Sequence, residues 1–509
     1  MMRRTPLSLL KKFDVCVIGG GPAGIAAAVR AYEVGKKACI IEEARIGGAD
    51  FWNGSLQSKT LWEMAKFSRY TQGNTSKGFV KTVHQFPPIK HENLVKAIND
   101  AAETREAQVL ELMGNSEIER ISGTGSFKTP NAVVVTSKDG SEEIVEADYF
   151  VIATGARPRQ HPTAIADGKV VFTSDDIMYK PLPKSIVIIG AGVIGCEFAS
   201  IFANFGETQV NIIEKNNRIL PMEDEDISLF VQSLLEQKGV CFHHHSAMES
   251  NSVKDGKFHY TLKDIRDNSL HAHVTDSALV SIGRVPNLSK LNLQAIGVKI
   301  DDNRIERDDF LRIKPYKHIY GCGDVCTKVA LVNVGELEGR ACIEHMYTPL
   351  PEDQLKLQLN NLSTIMFLDQ EVAAVGLNEQ QCKKAKIGYK MARYSYNFVG
   401  RALAMGNTRG FIKLVVTNDK KMQVLGVRAV GPHASSIIEL ASLAIHNRES
   451  AHNLRNLHTA YPAVTQGFQE CLHMLLGSSI LKPSMFPQLA IQEWNPPTFE
   501  HGRAYADKN

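Results

Sequence analysis

Residues Asp14–Gly24, DVCVIGGGPAG, constrain this chain more than any other stretch. An apolar run, Val15, Val17 and Ile18, enters Gly19-x-Gly21-x-x-Gly24, and a helical pattern from Ile25 to Tyr32 comes next. Gly19 permits a tight turn, and Gly21 lets a phosphate approach the backbone. Gly24 lets the helix lie close to the strand, with its N-terminus towards the phosphates. The strand Ala38–Ile41 then ends in Glu42, 23 positions after Gly19, where a carboxylate can take ribose hydroxyls. The stretch predicts a dinucleotide-binding βαβ unit.

The theme recurs. Ile186–Ile189 meets Gly190-x-Gly192-x-x-Gly195, a helix runs through Phe205, and the strand Val210–Ile213 ends in Glu214. Two such units predict two nucleotide sites. An acid at the second strand end favours NAD(H) over NADP(H), a preference that the adjacent Lys215 moderates.

The 509 residues allow three or four domains, and a net charge of +3 gives no reason to expect nucleic acid or an anionic membrane. No apolar run is long enough to span a bilayer. The basic start MMRRTPLSLLKK leaves little to cleave before the first strand, so a cytoplasmic protein is expected, with the mitochondrion as the alternative. The nine cysteines (16, 39, 196, 241, 322, 326, 342, 382 and 471) lie mostly in apolar patterns and without zinc spacing, as reduced, buried thiols do. Further strands ending in polar glycine turns lie at Glu146–Pro158, Val274–Asn287 and His318–Val325. Beyond a linker at 349–358, Thr364–Leu377, Gly410–Val416 and Gln423–Gly431 read as strands, and Ala434–His446 and Val464–Leu476 as helices. The tail from Gly477 carries four prolines and no periodicity, and is expected to be an extended or disordered arm.

The segments VIGGGPAG, ATGARP, GAGVIGCEFASIF, IGRVPN, YGCGDV, FLDQEVAAVGL and VLGVRAVGPHASSIIELASLAI, in that order, resemble the pyridine-nucleotide disulfide oxidoreductases. That class includes dihydrolipoamide dehydrogenase, glutathione and mercuric reductases and the soluble transhydrogenase. The resemblance implies an α/β protein with two Rossmann-like domains, for FAD and NAD, and a C-terminal α+β dimerisation domain. The implied divisions are 1–158 and 276–348 for FAD, 159–275 for NAD(P), 349–476 for a homodimer interface and 477–509 for the tail. It implies FAD contacts from Gly19, Gly21, Gly24, Glu42, Gly48, Thr154, Gly155, Gly283, Gly323 and Asp324, the last on the ribitol. Gly190, Gly192, Gly195 and Glu214 are implied for NAD(H). Lys59 should lie beside flavin N5, and Glu197 should pair with Lys59 and meet the nicotinamide.

Two departures from the family pattern matter. Between Gly47-Gly48 and Ser58-Lys59 the family carries two cysteines, and here Asp50 and Ser55 take those positions. Neither can form a disulfide or a thiol adduct, so thiolate relay is expected to be lost here. In the C-terminal motif Tyr461 replaces the histidine base and Gln466 the glutamate behind it. The expected function is therefore an FAD-dependent oxidoreductase passing hydride from NADH to a small non-disulfide acceptor: a second nicotinamide, a quinone, dioxygen or a dye. Asp50 and Tyr461 would orient that acceptor. The alternative is a non-catalytic FAD scaffold or regulatory subunit, with the tail and its Trp494 as a docking arm for a protein partner. Cys322 and Cys326 flank Asp324 as C-x-x-x-C and are expected to be packing residues rather than a substitute dithiol. His243–His245 are not expected to bind metal, because successive strand residues point to opposite faces.

Overall fold

Runs of four or more apolar residues, flanked by glycine turns and alternating with helices, suit strands that bury both faces in a parallel sheet covered on each side. The computed structural model, which describes residues 10–73, 90–327, 329–349, 351–359 and 361–497, has two sheets built around parallel strands, the first of them mixed. The first contains β1 (Leu10–Ile18), β2 (Ala38–Glu42), β3 (Glu119–Ser122), β4 (Thr124–Thr129), β5 (Ala132–Thr136) and β6 (Glu142–Ile152) in the order β3-β2-β1-β6-β5-β4. Ile319–Gly321 also pairs with β6. β1 runs parallel to β2, with Cys16 opposite Cys39, and parallel to β6, with Cys16 opposite Phe150.

Four helices in this part of the chain position its functional residues: α1 (Pro22–Glu33), α2 (Gly48–Trp52), α3 (Ser55–Gly73) and α4 (His91–Asn115). The second sheet holds β7 (Val171–Thr173), β8 (Ser185–Ile189), β9 (Gln209–Ile213), β10 (Cys241–His243) and β11 (Ser277–Val280) in the order β10-β9-β8-β11-β7. Its first crossover is α5 (Val193–Phe205), and α6 (Glu225–Glu236) comes after β9. α7 (Val332–Tyr347) packs along α1 through small residues: a Cβ on Gly339 would lie 2.2 Å from the Ala23 carbonyl oxygen.

The described residues fall into two units. One contains both of these sheets and runs to Asn217 and again over Leu235–Leu357. The other combines Arg218–Leu234 with the chain from Gln358 onward. Its sheet contains β12 (Ser363–Met366), β13 (Glu371–Gly376), β14 (Tyr389–Ser395), β15 (Phe411–Thr417), β16 (Val424–Gly431) and β17 (Ala490–Trp494), ordered β12-β13-β16-β15-β14-β17. α8 (Ser435–His446) and α9 (Gln466–Leu475) bury their apolar faces in this unit's core, with Ile437, Ile438, Phe468 and Leu472 fully covered.

Two expectations need correcting. Thr364–Leu377 is two antiparallel strands, Thr364 pairing with Ala374, because the chain reverses between Met366 and Glu371. The tail is not an unstructured arm as far as Pro497. β17 pairs antiparallel with the edge strand β14, Trp494 stacks on Tyr389 at 5.9 Å, and Leu489 is buried. An edge strand with unpaired backbone groups captured the segment, a tertiary gain that leaves no periodic signature. Trp494 is thus packed on its own unit, and residues 498–509, like the basic start up to Leu9, lie outside the described residues.

Segment 218–234 is fastened to the rest of the second unit by charge. Lys413 Nζ, wholly buried, lies 2.7 Å from Asp224, 2.7 Å from Asp226 and 2.9 Å from Glu379. Arg428 Nε donates to Glu223 at 2.8 Å. The three carboxylates could as a group hold a cation, and here an ammonium sits among them.

Candidate functional site

Both glycine turns are built for a close ligand. Gly19 and Gly190 have φ of 110° and 104°, where L side chains are strained. A Cβ on Gly24 would meet the Gly19 carbonyl oxygen at 1.9 Å, and one on Gly195 the Gly190 oxygen at 2.1 Å. The middle glycines differ. A Cβ on Gly21 would come no nearer than 4.0 Å to anything, and one on Gly192 would meet nothing. The outer glycines let the helix sit on the strand, and the middle ones keep the approach open. α1 and α5 both start without a side-chain cap, so their first N–H groups are available to an anion.

The acidic strand ends are held alike. Glu42 accepts the Gly20 and Ala44 N–H groups, each at 2.7 Å. Glu214 accepts from Ala191 N at 3.1 Å and from Asn216 N and Nδ2 at 2.9 and 2.7 Å. Beside Glu42 a cavity of about 400 Å³ is lined by Gly19, Thr124, Thr154, Arg157, Asn287 and Lys290 among others. The open glycine, the uncapped helix and this adjoining cavity fit a dinucleotide laid across the ends of β1 and β2. Gly192 and α5 offer a second nucleotide the same open approach.

The remaining turns close on one another. Thr154 Oγ1 donates to the Asn287 carbonyl at 2.8 Å, and Asn287 Nδ2 returns a bond to the Thr154 carbonyl at 2.9 Å. The Asn287 N–H bonds the Gly155 carbonyl, and Gly283 is in the left-handed region beside this lock. Arg284 reaches the Ala156 carbonyl at 2.6 Å and Asp175 at 3.2 Å. Asp324 follows Gly323, whose added Cβ would lie 3.1 Å from the Ala23 Cβ at the start of α1. Burial pushes the Asp324 carboxyl up, and Arg284 pulls the other way. The Gly323 N–H donates to fully buried Glu338, which Arg307 holds by two further bonds of 2.6 and 3.0 Å.

Lys59 Nζ reaches both oxygens of Glu197, at 3.0 and 3.2 Å, joining α3 to α5. Glu197 is only 7% exposed, not a solvated helix carboxylate. Asp50 lies in the first turn of α2, where Gly48 packs on Gly21. Its carboxyl is raised by burial first and by Glu336 of α7 next, with the Leu56 N–H pulling the other way. Ser55 is exposed at the start of α3. Between them Trp52 donates to the Ile46 carbonyl at 2.8 Å and carries the Arg45 guanidinium 3.5 Å above its ring. Tyr461 belongs to the second unit, is 78% exposed and lies against Gly400. Gln466 accepts the Gly400 N–H at 3.3 Å.

All nine thiols are free. Cys16 and Cys39, opposite each other on β1 and β2, have no exposed surface, and burial, with the neighbouring Cys16 next, raises the Cys39 thiol well above its ordinary value. Cys322 likewise neighbours Cys342 in the core. His243 ends β10 and meets the His273 ring at 4.9 Å.

Sequence reading did not find Arg284, Asn287, Asp175, Arg307, Glu338, Glu336 or Gln57. Arg284 and Asn287 stand in the IGRVPN turn and could have been singled out there. The others gain meaning only from partners far away in sequence.

Residues 13–339 match the family "Pyridine nucleotide-disulphide oxidoreductase", and residues 362–472 match its dimerisation domain. The dihydrolipoyl dehydrogenase of Bacillus subtilis is 31% identical over 444 residues, 85% of this chain and 91% of that protein. One from Mycobacterium tuberculosis is 32% identical over 472 residues, 92% and 99% of the two chains. The crystal structure of LpdA from Mycobacterium tuberculosis matches with a TM-score of 0.82 at 24% identity, over 91% of this chain and 99% of that one, a likeness of fold. The mixed α/β architecture with a C-terminal dimerisation domain is common to them. No described helix is long and apolar enough to cross a membrane.

Proposed function

The chain belongs to the pyridine nucleotide-disulphide oxidoreductase family, which uses FAD and NAD(H), and from that premise we propose a flavoprotein oxidoreductase that passes electrons from NADH to a small non-disulfide acceptor. The observation that carries this reading is the segment between Gly48 and Lys59. Asp50 and Ser55 stand there and no thiol does, while the glycine turns of both nucleotide cradles and the Lys59–Glu197 pair are kept.

Bound FAD would supply two-electron acceptance from nicotinamide and delivery onward. Gly19, Gly21, Gly24 and the start of α1 would take its pyrophosphate, Glu42 the adenosine ribose and Asp324 the ribitol. Gly190, Gly192, Gly195 and Glu214 would hold NAD(H). Glu197 keeps the Lys59 ammonium fixed at one point, a cation whose field tunes a neighbouring redox group. Asp50 is proposed to serve the acceptor side.

Cys16 and Cys39 offer the competing reading, a disulfide reductase using another thiol pair. Their burial in the sheet core opposes it, since exchange needs an accessible thiolate. The test is to bleach the flavin anaerobically with NADH, then offer menadione or lipoamide. Bleaching, reoxidation by menadione and no arsenite-sensitive lipoamide turnover are expected. Arsenite-sensitive lipoamide reduction that Cys16→Ser abolishes would overturn the proposal, and a flavin that NADH leaves oxidised would favour a scaffold.

A further inference from the structure

The two acidic strand ends differ in how many of their acceptor sites are already filled. A carboxylate has about four lone-pair sites, two on each oxygen. Glu42 fills one on each: Oε2 accepts the Gly20 N–H and Oε1 the Ala44 N–H, both at 2.7 Å. Glu214 fills one more. Its Oε2 accepts the Ala191 N–H at 3.1 Å, and its Oε1 accepts both the Asn216 N–H at 2.9 Å and the Asn216 side-chain amide at 2.7 Å. The backbone donors correspond, since Ala44 and Asn216 each stand two positions after the acid. The extra bond comes from the Asn216 side chain, for which Ala44 has no equivalent. Among the described residues, Glu42 therefore keeps an open site on each oxygen, and Glu214 keeps one on Oε2 alone.

The same bonds fix where the Glu214 carboxylate lies. Ala191 stands between Gly190 and Gly192, in the turn where a Cβ on Gly192 would meet nothing and α5 starts uncapped. Glu214 is thus tied at one oxygen to the turn that a nucleotide approaches, and at the other to the chain just beyond β9. Two cations follow it. Arg218 is engaged, donating to the Glu223 and Pro221 carbonyls at 2.8 and 3.1 Å and to Ser228 Oγ at 3.0 Å. Lys215, next to the acid, is exposed. A nucleotide carrying a 2′-phosphate meets the fixed carboxylate first, and two like charges in contact repel. Only a carboxylate free to turn aside lets a neighbouring ammonium take its place.

We propose that Asn216 sets the nucleotide selectivity of the second cradle, by locking Glu214 so that it accepts a ribose hydroxyl and refuses a 2′-phosphate. This rests on the reading above that Glu214 holds NAD(H), and it names the residue that decides how strictly. Asn216 is a positioning residue: its amide acts on Glu214, and Glu214 acts on the nucleotide. With Oε1 filled from Asn216, the hydroxyl donates to Oε2, the oxygen tied to the glycine turn. A phosphate oxygen brings charge and no such donor. Moving Glu214 out of its way breaks the bonds to Ala191 and Asn216, the shortest of them to the Asn216 amide. The first cradle lacks this clasp, and its two open sites on Glu42 are enough for both hydroxyls of one ribose.

The experiment titrates the oxidised holoenzyme with NAD⁺ and with NADP⁺ in a calorimeter, where no turnover occurs, and follows flavin bleaching by subsaturating NADH and NADPH in stopped flow. Asn216→Ala removes the amide and leaves the backbone N–H. It should weaken NAD⁺ about tenfold and leave NADP⁺ equal or tighter, so the preference for NAD⁺ shrinks by about tenfold or more, and the bleaching rates should follow the same ratio. Asn216→Ser, whose hydroxyl can donate to Oε1, should recover part of the preference. Adding Lys215→Ala to Asn216→Ala should cancel any gain with NADP⁺. A preference within about twofold of wild type in Asn216→Ala, or an equal loss of both nucleotides as a merely structural role would give, would overturn the proposal. If Asn216→Ala does not fold, Asn216→Asp decides: the same shape without the donor should weaken NAD⁺ at least as far, and NAD⁺ affinity within about threefold of wild type would overturn the proposal as well. Glu214→Gln separates the two readings. If it binds NAD⁺ as the wild type does, the ribose reading of Glu214 fails and this one with it. If it loses the preference while Asn216→Ala keeps it, this inference alone falls.

Discussion

Gly21 and Gly24 stand three residues apart in one turn, and the structure gives them opposite jobs. Gly24→Ala places a methyl 1.9 Å from the Gly19 carbonyl oxygen and 3.1 Å from Val17 Cγ1. The obstacle is backbone held between β1 and α1, so it cannot swing aside. Overpacking of this kind costs about 1–3 kcal/mol or more, which exceeds the roughly 1 kcal/mol that alanine gains over glycine in a helix. Gly21→Ala meets nothing nearer than 4.0 Å, and its φ of −80° and ψ of −177° suit any residue. The FAD-free stability of Gly21→Ala should stay within about 0.5 kcal/mol of wild type. Its methyl instead occupies the space the pyrophosphate needs. One lost charge-assisted backbone bond, about 1.5–3 kcal/mol, weakens FAD about 10- to 150-fold. Urea unfolding of the stripped proteins, with FAD titrations monitored by flavin fluorescence, separates the two. A Gly21→Ala protein that binds FAD within threefold of wild type, or that loses as much stability as Gly24→Ala, would refute the division of labour. Gly192 and Gly195 should behave the same way towards NADH.

Buried charge sets two more outcomes. Lys413→Met strands Asp224, Asp226 and Glu379 without their ammonium and should cost about 3–5 kcal/mol in denaturant unfolding; a loss under about 1 kcal/mol would show the cluster to be solvated. Asp50 has a carboxyl raised in the native state, so its contribution favours folding below about pH 3.9 and is lost as pH rises through the raised value. Asp50→Asn, neutral throughout, should therefore gain stability over wild type at about pH 7.5 relative to about pH 4, and a pH-independent difference would count against a raised carboxyl.

Much of the site was legible because its parts are local. A glycine that must lack a side chain, a strand end that must carry an acid, and a helix that must start bare each leave a mark within one short βαβ unit, as Gly19 to Glu42 and Gly190 to Glu214 do. The exchange of two cysteines for Asp50 and Ser55 was equally plain, since chemistry that needs sulfur cannot be done by oxygen. Other features carry no local mark. β17 exists because β14 offered an open edge, not because Ala490–Trp494 alternates. Glu338 is tolerated at full burial only because Arg307 and the Gly323 N–H reach it.

The order of the chain by itself determined the two cradles, their ligands' class and the loss of sulfur at positions 50 and 55, because backbone conformation and side-chain chemistry are properties of short segments. Only the tertiary structure decided that Glu197 is buried against Lys59, that Asp50 shares its surroundings with Glu336, and that segment 218–234 belongs with Lys413. Charge in a protein is governed by what else comes within a few ångströms and by how much water is excluded, and distances across a fold are not written in the sequence.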